Sequence, residues 1–268
     1  MCIFTSAEKI VRGIVLWIAL CAVLFAASAG AVTISSSASV GAVPSSAGAG
    51  LSGSYYAFTN GSVTSLAQAN QLISSTSAPT ATFTSNTICF PDCAGTSISD
   101  SSPLTSLLNG NVTNFSYTTG ASAVTSVSDT AMVLTGYIAI AQAGTYTYYL
   151  GSDDGSELTI GGQSVIVDDG THSFTTDSAN VTYAAAGLYA ISIEYFENGG
   201  VTGLDFYAEN DTTNQCVIGR TASCAAGTAS TGALYSPAAI APEPGSVWLL
   251  GGGLAGLFGL RRARLRAA

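Results

Sequence analysis

From Met132 onward the chain breaks into short runs that only strands explain. Met132–Ile140, Thr145–Leu150, Glu157–Ile160, Ser164–Val167, Asn180–Tyr183, Leu188–Phe196 and Leu204–Ala208 are rich in Val, Ile, Thr, Tyr and Phe. Gly, Asp or Asn separates most of them, the pattern of consecutive strands joined by turns. Successive side chains of a strand point to opposite faces. Tyr146, Tyr148 and Leu150 therefore share one face, as do Ile191, Ile193 and Tyr195. Gly161-Gly162 sits between two runs as a two-residue hairpin turn of the kind that needs positive φ. Strands this short at this spacing predict an all-β fold, a β-sandwich or barrel. Before Met132 the pattern is patchier: Leu66–Ile73 reads as one or two helical turns and Thr80–Phe83 as a short strand. No fixed-period repeat is present.

The two ends are not part of that fold. Lys9 and Arg12 precede the apolar run 13–27, and Ala27-Ser28-Ala29 is a small-residue cleavage pattern; together they predict a secretory signal peptide over 1–29. Residues 30–50 are mostly Ser, Ala, Gly and Val with no charge and no aromatic ring, and predict a leader outside the core. At the other end Pro242-Glu243-Pro244 is a stiff extended segment. Residues 245–260 follow without a charge, and then come Arg261, Arg262, Arg264 and Arg266. The apolar run is slightly shorter than the roughly 17–25 residues of a comfortable membrane helix. The arginines place the C-terminus on the cytoplasmic side.

Removing both ends changes the charge. Six of the seven basic residues leave with them, so Arg220 faces fourteen acids, a net charge of −13. That excludes nucleic acid and anionic membrane surfaces as partners. It suits a cation-binding or highly soluble extracellular protein. Cys2 and Cys21 also leave; Cys89, Cys93, Cys216 and Cys224 remain, an even number suited to an oxidising compartment. Cys89–Cys93 and Cys216–Cys224 would each close a local loop. A cross-pairing of residue 89 with the C-terminal part is the rival. Zinc does not fit, because no Cys-x-x-Cys occurs and His172 is the one histidine.

The ordered tail of Pro-Glu-Pro, apolar helix and arginine cluster over 241–268 resembles the PEP-CTERM sorting signal of exported bacterial proteins. The resemblance implies an exosortase-type membrane protease as partner, a transient anchor at 245–260, and release to the cell surface or medium. A plain membrane anchor is the alternative. A second resemblance lies in the strands. Thr145–Leu150, the segment Ser152-Asp153-Asp154-Gly155-Ser156 and the run Leu188–Phe196 followed by Asn198-Gly199-Gly200 resemble the PA-fourteen (PA14) domain, shared by a toxin component, glycosidases and flocculin adhesins. The expected organisation is then signal peptide (1–29), leader (30–50), β-sandwich (51–210), Cys-containing tail and linker (211–240) and sorting segment (241–268).

Neighbouring aspartates on a regular strand point apart and cannot share an ion. In the flocculin branch the equivalent of Asp153–Asp154 is joined by a cis peptide and both carboxylates bind one calcium, so the resemblance implies Ca²⁺ at Asp153 and Asp154. Calcium takes about 6–8 oxygen ligands and can accept sugar hydroxyls in open positions. Flocculins complete the site with an Asn from a later loop; by position alone, Asn198 in the loop Glu197–Val201 takes that place. The implied function is calcium-dependent carbohydrate binding in an exopolysaccharide matrix, biofilm or adhesion, with a non-binding acidic matrix protein as the alternative. An enzyme is the remaining class. Glu194 and Glu197, an acid/base pair in principle, are offset by three and point to opposite faces, so they are not expected to act together, and an outward structural carboxylate is the expected reading. His172 has no nucleophile beside it. Asp168-Asp169-Gly170 reads as an ordinary turn.

Overall fold

The computed structural model describes residues 31–59, 61–211, 213, 215–218 and 233–237. It is a β-sandwich of two sheets. The strands in chain order are β1 (Val32–Ile34), β2 (Ser39–Gly41), β3 (Leu51–Ala57), β4 (Ala81–Ser85), β5 (Cys89–Phe90), β6 (Ile98–Ser99), β7 (Thr113–Tyr117) and β8 (Thr130–Ile140). They continue as β9 (Gly144–Asp153), β10 (Ser156–Ile160), β11 (Gln163–Asp168), β12 (Thr175–Tyr183), β13 (Gly187–Glu197), β14 (Val201–Asn210), β15 (Gln215–Ile218) and β16 (Leu234–Tyr235). Two helices interrupt them, α1 (Leu66–Ser75) and α2 (Leu104–Leu108).

One sheet has the order β1-β12-β9-β14-β15, with β5 and β6 also on β14; the other runs β11-β10-β13-β8-β3-β4-β7, with β2 on β13 and β16 on β8. Neighbours pair antiparallel except β1 with β12. Alternation decides which side chains meet between the sheets. Tyr146, Tyr148 and Leu150 of β9 face Ile191, Ile193 and Tyr195 of β13 across a core in which all six are buried. Tyrosine suits this core because the ring buries a large apolar area while the hydroxyl still needs a partner. Tyr148 and Tyr183 satisfy each other at 2.7 Å, and Tyr146 donates to Gln142 O at 2.9 Å. Gly161 and Gly162 join β10 to β11 with φ of 58° and 78°, the left-handed pair that a tight hairpin requires.

Helix α1 starts where its sequence says it should. Ser65 accepts the Gln68 N–H at 3.3 Å, and Gln68 Oε1 reaches back to the Thr64 N–H at 3.0 Å, a capping arrangement at Ser65-x-x-Gln68. Its apolar stripe, Leu66 and Ala69, covers Ala131 and Phe196 at one end of the outer face of β8 and β13.

Two expectations need correction. Residues 30–50 do not stay outside the core: Val32–Ile34 adds a parallel strand to β12 and Ile34 is 0 % exposed. Three residues suffice because Val, Thr and Ile are β-branched and the edge of β12 offers unpaired backbone groups. Likewise, part of the expected linker is built in. Leu234–Tyr235 pairs with β8, and Ala233, Leu234 and Tyr235 are buried. Cys89 and Cys93 form a disulfide across the turn after β5. Cys216 is disulfide-bonded as well, while Cys224 lies outside the described residues. So do the signal peptide, Pro242, Glu243, Pro244 and the 245–260 segment. Among the described residues no helix is long and apolar enough to cross a membrane.

Candidate metal centre at the loop end of the sandwich

Asp153 is the last residue of β9, and the Asp153–Asp154 peptide is cis. The chain leaves through Gly155 into β10. A Cβ at Gly155 would stand 2.5 Å from the Phe196 ring and 2.9 Å from Asp168 O, so only glycine fits this close approach. Ser152 and Ser156, on either side of the corner, share a hydroxyl hydrogen bond of 2.8 Å in full burial.

Each carboxylate at the corner is held by neighbouring loops. Asp153 Oδ2 accepts the Phe174 N–H at 3.1 Å and the Ser97 hydroxyl at 3.3 Å. Asp154 Oδ1 accepts the His172 N–H at 2.8 Å, and its Oδ2 accepts the Asn198 N–H at 2.9 Å. Three loops therefore converge on two side chains, both only 4 % exposed.

The third member is Glu197, the last residue of β13. Carboxylate oxygens of Asp153, Asp154 and Glu197 lie within 4.8 Å of one another. Glu197 is 0 % exposed; Tyr195 donates to its Oε2 at 3.1 Å, and Oε1 has no hydrogen-bond partner. The Tyr195 hydroxyl also bonds Asp153 O and Thr202 Oγ1, tying β13, β9 and β14 together beneath the cluster. Burial, followed by the charge of Asp154, pushes the Glu197 carboxyl up to about 9. Burial first and then Asp154 raises Asp153 too. An unpaired buried carboxylate is costly, and three together cannot all stay ionised without a cation.

Among the described residues there is no Lys or Arg to serve. The donors are all hard carboxylate oxygens, and one of them, Glu197 Oε1, is buried without a partner. This set fits a calcium ion, not zinc or copper.

The expectation that Glu197 points outward is overturned. The signal was present in the sequence: Glu197 continues the inward series Ile191, Ile193, Tyr195 at period two. Glu194 does lie on the opposite face, but its carboxyl is half-buried and raised to about 6, chiefly by burial. Its Oε2 accepts Asn70 Nδ2 of α1 at 2.9 Å. Asn198 reaches the cluster through its backbone N–H, while its side-chain nitrogen donates to Ser62 Oγ. In the Asp168-Asp169-Gly170 turn, Asp169 Oδ1 accepts the Gly170 N–H at 2.8 Å and the Leu66 N–H at 2.7 Å, so it fixes the first turn of α1. Asp168 Oδ2 lies 3.3 Å from His172 Nε2.

The site is thus a paired-aspartate corner at one loop end of a two-sheet sandwich. Residues 104–222 match the PA14 domain family model, and residues 241–263 match the PEP-CTERM protein-sorting motif. Over those two stretches the chain is thus similar to the PA14 domain family and to the PEP-CTERM sorting motif. The fold is similar to the PA14 domain of the MpAFP antifreeze protein, at 27% identity over 67% of this chain and 92% of that one, with a TM-score of 0.54. It is also similar to the PA14 sugar-binding domain of an RTX adhesin, at 26% identity over 65% of this chain and 96% of that one, TM-score 0.53. No curated protein sequence matches the chain.

Proposed function

We propose that this is an exported protein, sorted by an exosortase-type protease, that binds glycans through a calcium ion held by Asp153, Asp154 and Glu197. The observation that carries this reading is the buried, unpartnered Glu197 Oε1 beside two carboxylates at the cis corner. Asn198 offers its side-chain oxygen as a further ligand. Vicinal hydroxyls of a sugar would complete the shell, which suits a role in an exopolysaccharide matrix, in a biofilm or in adhesion. The likeness to a sugar-binding PA14 domain of an adhesin supports it. So does the sorting motif, which implies export and a transient C-terminal anchor before surface display.

No catalytic pair is assigned. Glu197 belongs to the carboxylate cluster and Glu194 faces the other side of β13, so the two cannot flank one glycosidic bond. Calorimetry with calcium chloride, then with a glycan panel in calcium or EDTA, tests the proposal. Absence of calcium binding by the full chain would sink it.

A second reading has its own support. Asp153 and Asp154 are only 4 % exposed, and their carboxylates already gather three loops. In that reading calcium locks the loops of an acidic matrix protein and no sugar enters. A calcium-induced rise in melting temperature, without any glycan binding, would favour it.

A further inference from the structure

The outer face of the second sheet carries a row of hydroxyls that the carboxylate corner does not use. Thr159, Ser192, Thr135, Ser52, Thr84 and Thr113 are consecutive cross-strand partners through β10, β13, β8, β3, β4 and β7. Adjacent strands lie about 4.8 Å apart, so the row runs about 24 Å across the sheet. None of the six is buried, whereas their chain neighbours Leu158, Ile193, Leu134 and Phe83 all are. The hydroxyls of Thr159, Ser192, Thr135 and Ser52 have no hydrogen-bond partner among the described residues.

Two elements border the middle of the row, and the strip between them is termed the trough. Helix α1 packs on Ala131 and Phe196 along one side. Along the other, Leu234–Tyr235 pairs with β8 at Ile138 and Tyr137, and Pro237 follows. Between Pro237 and the strands lies a cleft of about 320 Å³, floored by Thr135, Thr159 and Ser192 and flanked by Tyr137. On the α1 side of the row, Glu157, Glu194 and Val133 are again cross-strand partners. Glu194 Oε1 is buried there without a hydrogen-bond partner.

This surface suits one kind of occupant. Free hydroxyls in a repeating row match a ligand that is itself a repeating row of hydroxyls, since each Ser or Thr both donates and accepts. Glu157 adds an acceptor for sugar O–H groups, and Val133, Tyr137 and Pro237 supply apolar contact for the C–H faces of the rings. The described residues hold fourteen acids and no Lys or Arg, which opposes nucleic acid and uronic-acid polymers. We propose that the trough is a second binding face that takes an extended, neutral polysaccharide chain without calcium. It does not depend on the carboxylate corner.

The test is calorimetric titration of the full chain, in a non-glycosidic detergent, with cellohexaose, mannohexaose and chitin hexaose. Each titration is run in calcium and in excess EDTA. Binding of at least one hexaose should survive EDTA and survive Asp154→Asn. It should weaken about tenfold or more in Thr135→Lys and, independently, in Ser192→Lys. Both positions are solvent-accessible, so circular dichroism should be unchanged. Failure of all three hexaoses to bind in EDTA overturns the proposal while leaving the calcium-dependent reading intact. EDTA-resistant binding that both lysine variants retain overturns it as well. EDTA-resistant binding with no calcium-dependent component supports the trough and removes the calcium-dependent reading.

Discussion

The Tyr195 hydroxyl donates to Glu197 Oε2 at 3.1 Å and leaves Oε1, on the same buried carboxylate, with no hydrogen bond. One oxygen is thereby fixed in place by the strand that carries it, and the carboxylate stands in the cluster with Asp153 and Asp154. Glu197→Gln should remove calcium binding, with affinity down about a hundredfold or more, because a charged ligand becomes a neutral one. Without calcium the same variant should fold as well as the parent at neutral pH. There Glu197 already holds its proton, so the amide replaces a neutral acid of similar shape. Calcium titration beside chemical denaturation checks both halves.

Asp154→Asn separates ion binding from loop anchoring. The amide oxygen can still accept one of the backbone N–H groups of His172 and Asn198, so the sandwich should stay folded while calcium affinity falls. Asp154→Ala drops both anchors and should cost a further 1–3 kcal/mol, the penalty of buried donors left unmet. If both variants bind calcium as the parent does, the ion lies elsewhere.

The raised carboxyl of Glu197 fixes the sign of the pH dependence. Its ordinary value is 4.5 and its folded value about 9. Between those limits the native state holds a proton that the unfolded chain releases, so the contribution to stability is full at low pH and lost as pH rises toward about 9. Melting temperature in EDTA should therefore decline from about pH 5 toward pH 9 through this group. Calcium must displace that proton, so its affinity should rise with pH over the same window and binding should release protons. Calorimetry in buffers of different ionisation enthalpy reads the proton count. Affinity independent of pH across this range would remove Glu197 from the ligand set.

How much of this was legible beforehand differs by element. Strand β9 buries alternate residues over Tyr146–Leu150, so period-two alternation is written into Tyr146, Tyr148 and Leu150, whereas β14 is buried on both faces over residues 202–208 and reads as a continuous run. The Gly161-Gly162 hairpin was legible because two successive left-handed residues leave few other choices. The pairing of Val32–Ile34 with β12 was not, since three residues carry too little periodicity and the surrounding Ser and Ala resemble a linker. Leu234–Tyr235 was hidden for the same reason. At the site, Asp153 and Asp154 stood out through their flanking strand. Glu197 is less legible, because a lone acid at the end of an apolar series reads as a surface carboxylate although it shares the face of Ile193 and Tyr195.

Ile34→Ala tests the role of the N-terminal strand directly. The side chain is fully buried in the main core, although β1 lies at a sheet edge. Truncation should cost about 2–4 kcal/mol, less than at a central strand if the edge can relax. Urea unfolding measures it. A change below about 0.5 kcal/mol, the range typical of surface sites, would mean that residues 32–34 are dispensable to the core.

The sorting motif at 241–263 makes the last prediction one of cell fractionation. In the proposed sorting, Pro242-Glu243-Pro244 would lie just before the apolar segment, within reach of a membrane-embedded protease, and Arg261, Arg262, Arg264 and Arg266 would hold the tail on the cytoplasmic side. Replacing the three residues by alanine should leave export intact, because the proposed N-terminal signal would act first. The protein should then collect in the inner membrane with its tail still attached. Mass spectrometry of the mature C-terminus distinguishes the cases: the parent should end upstream of the apolar segment, and the variant should retain Arg266. A released parent chain that still carries Arg266 would show that the motif is not processed. A variant released as efficiently as the parent would show that Pro-Glu-Pro is not what the protease reads.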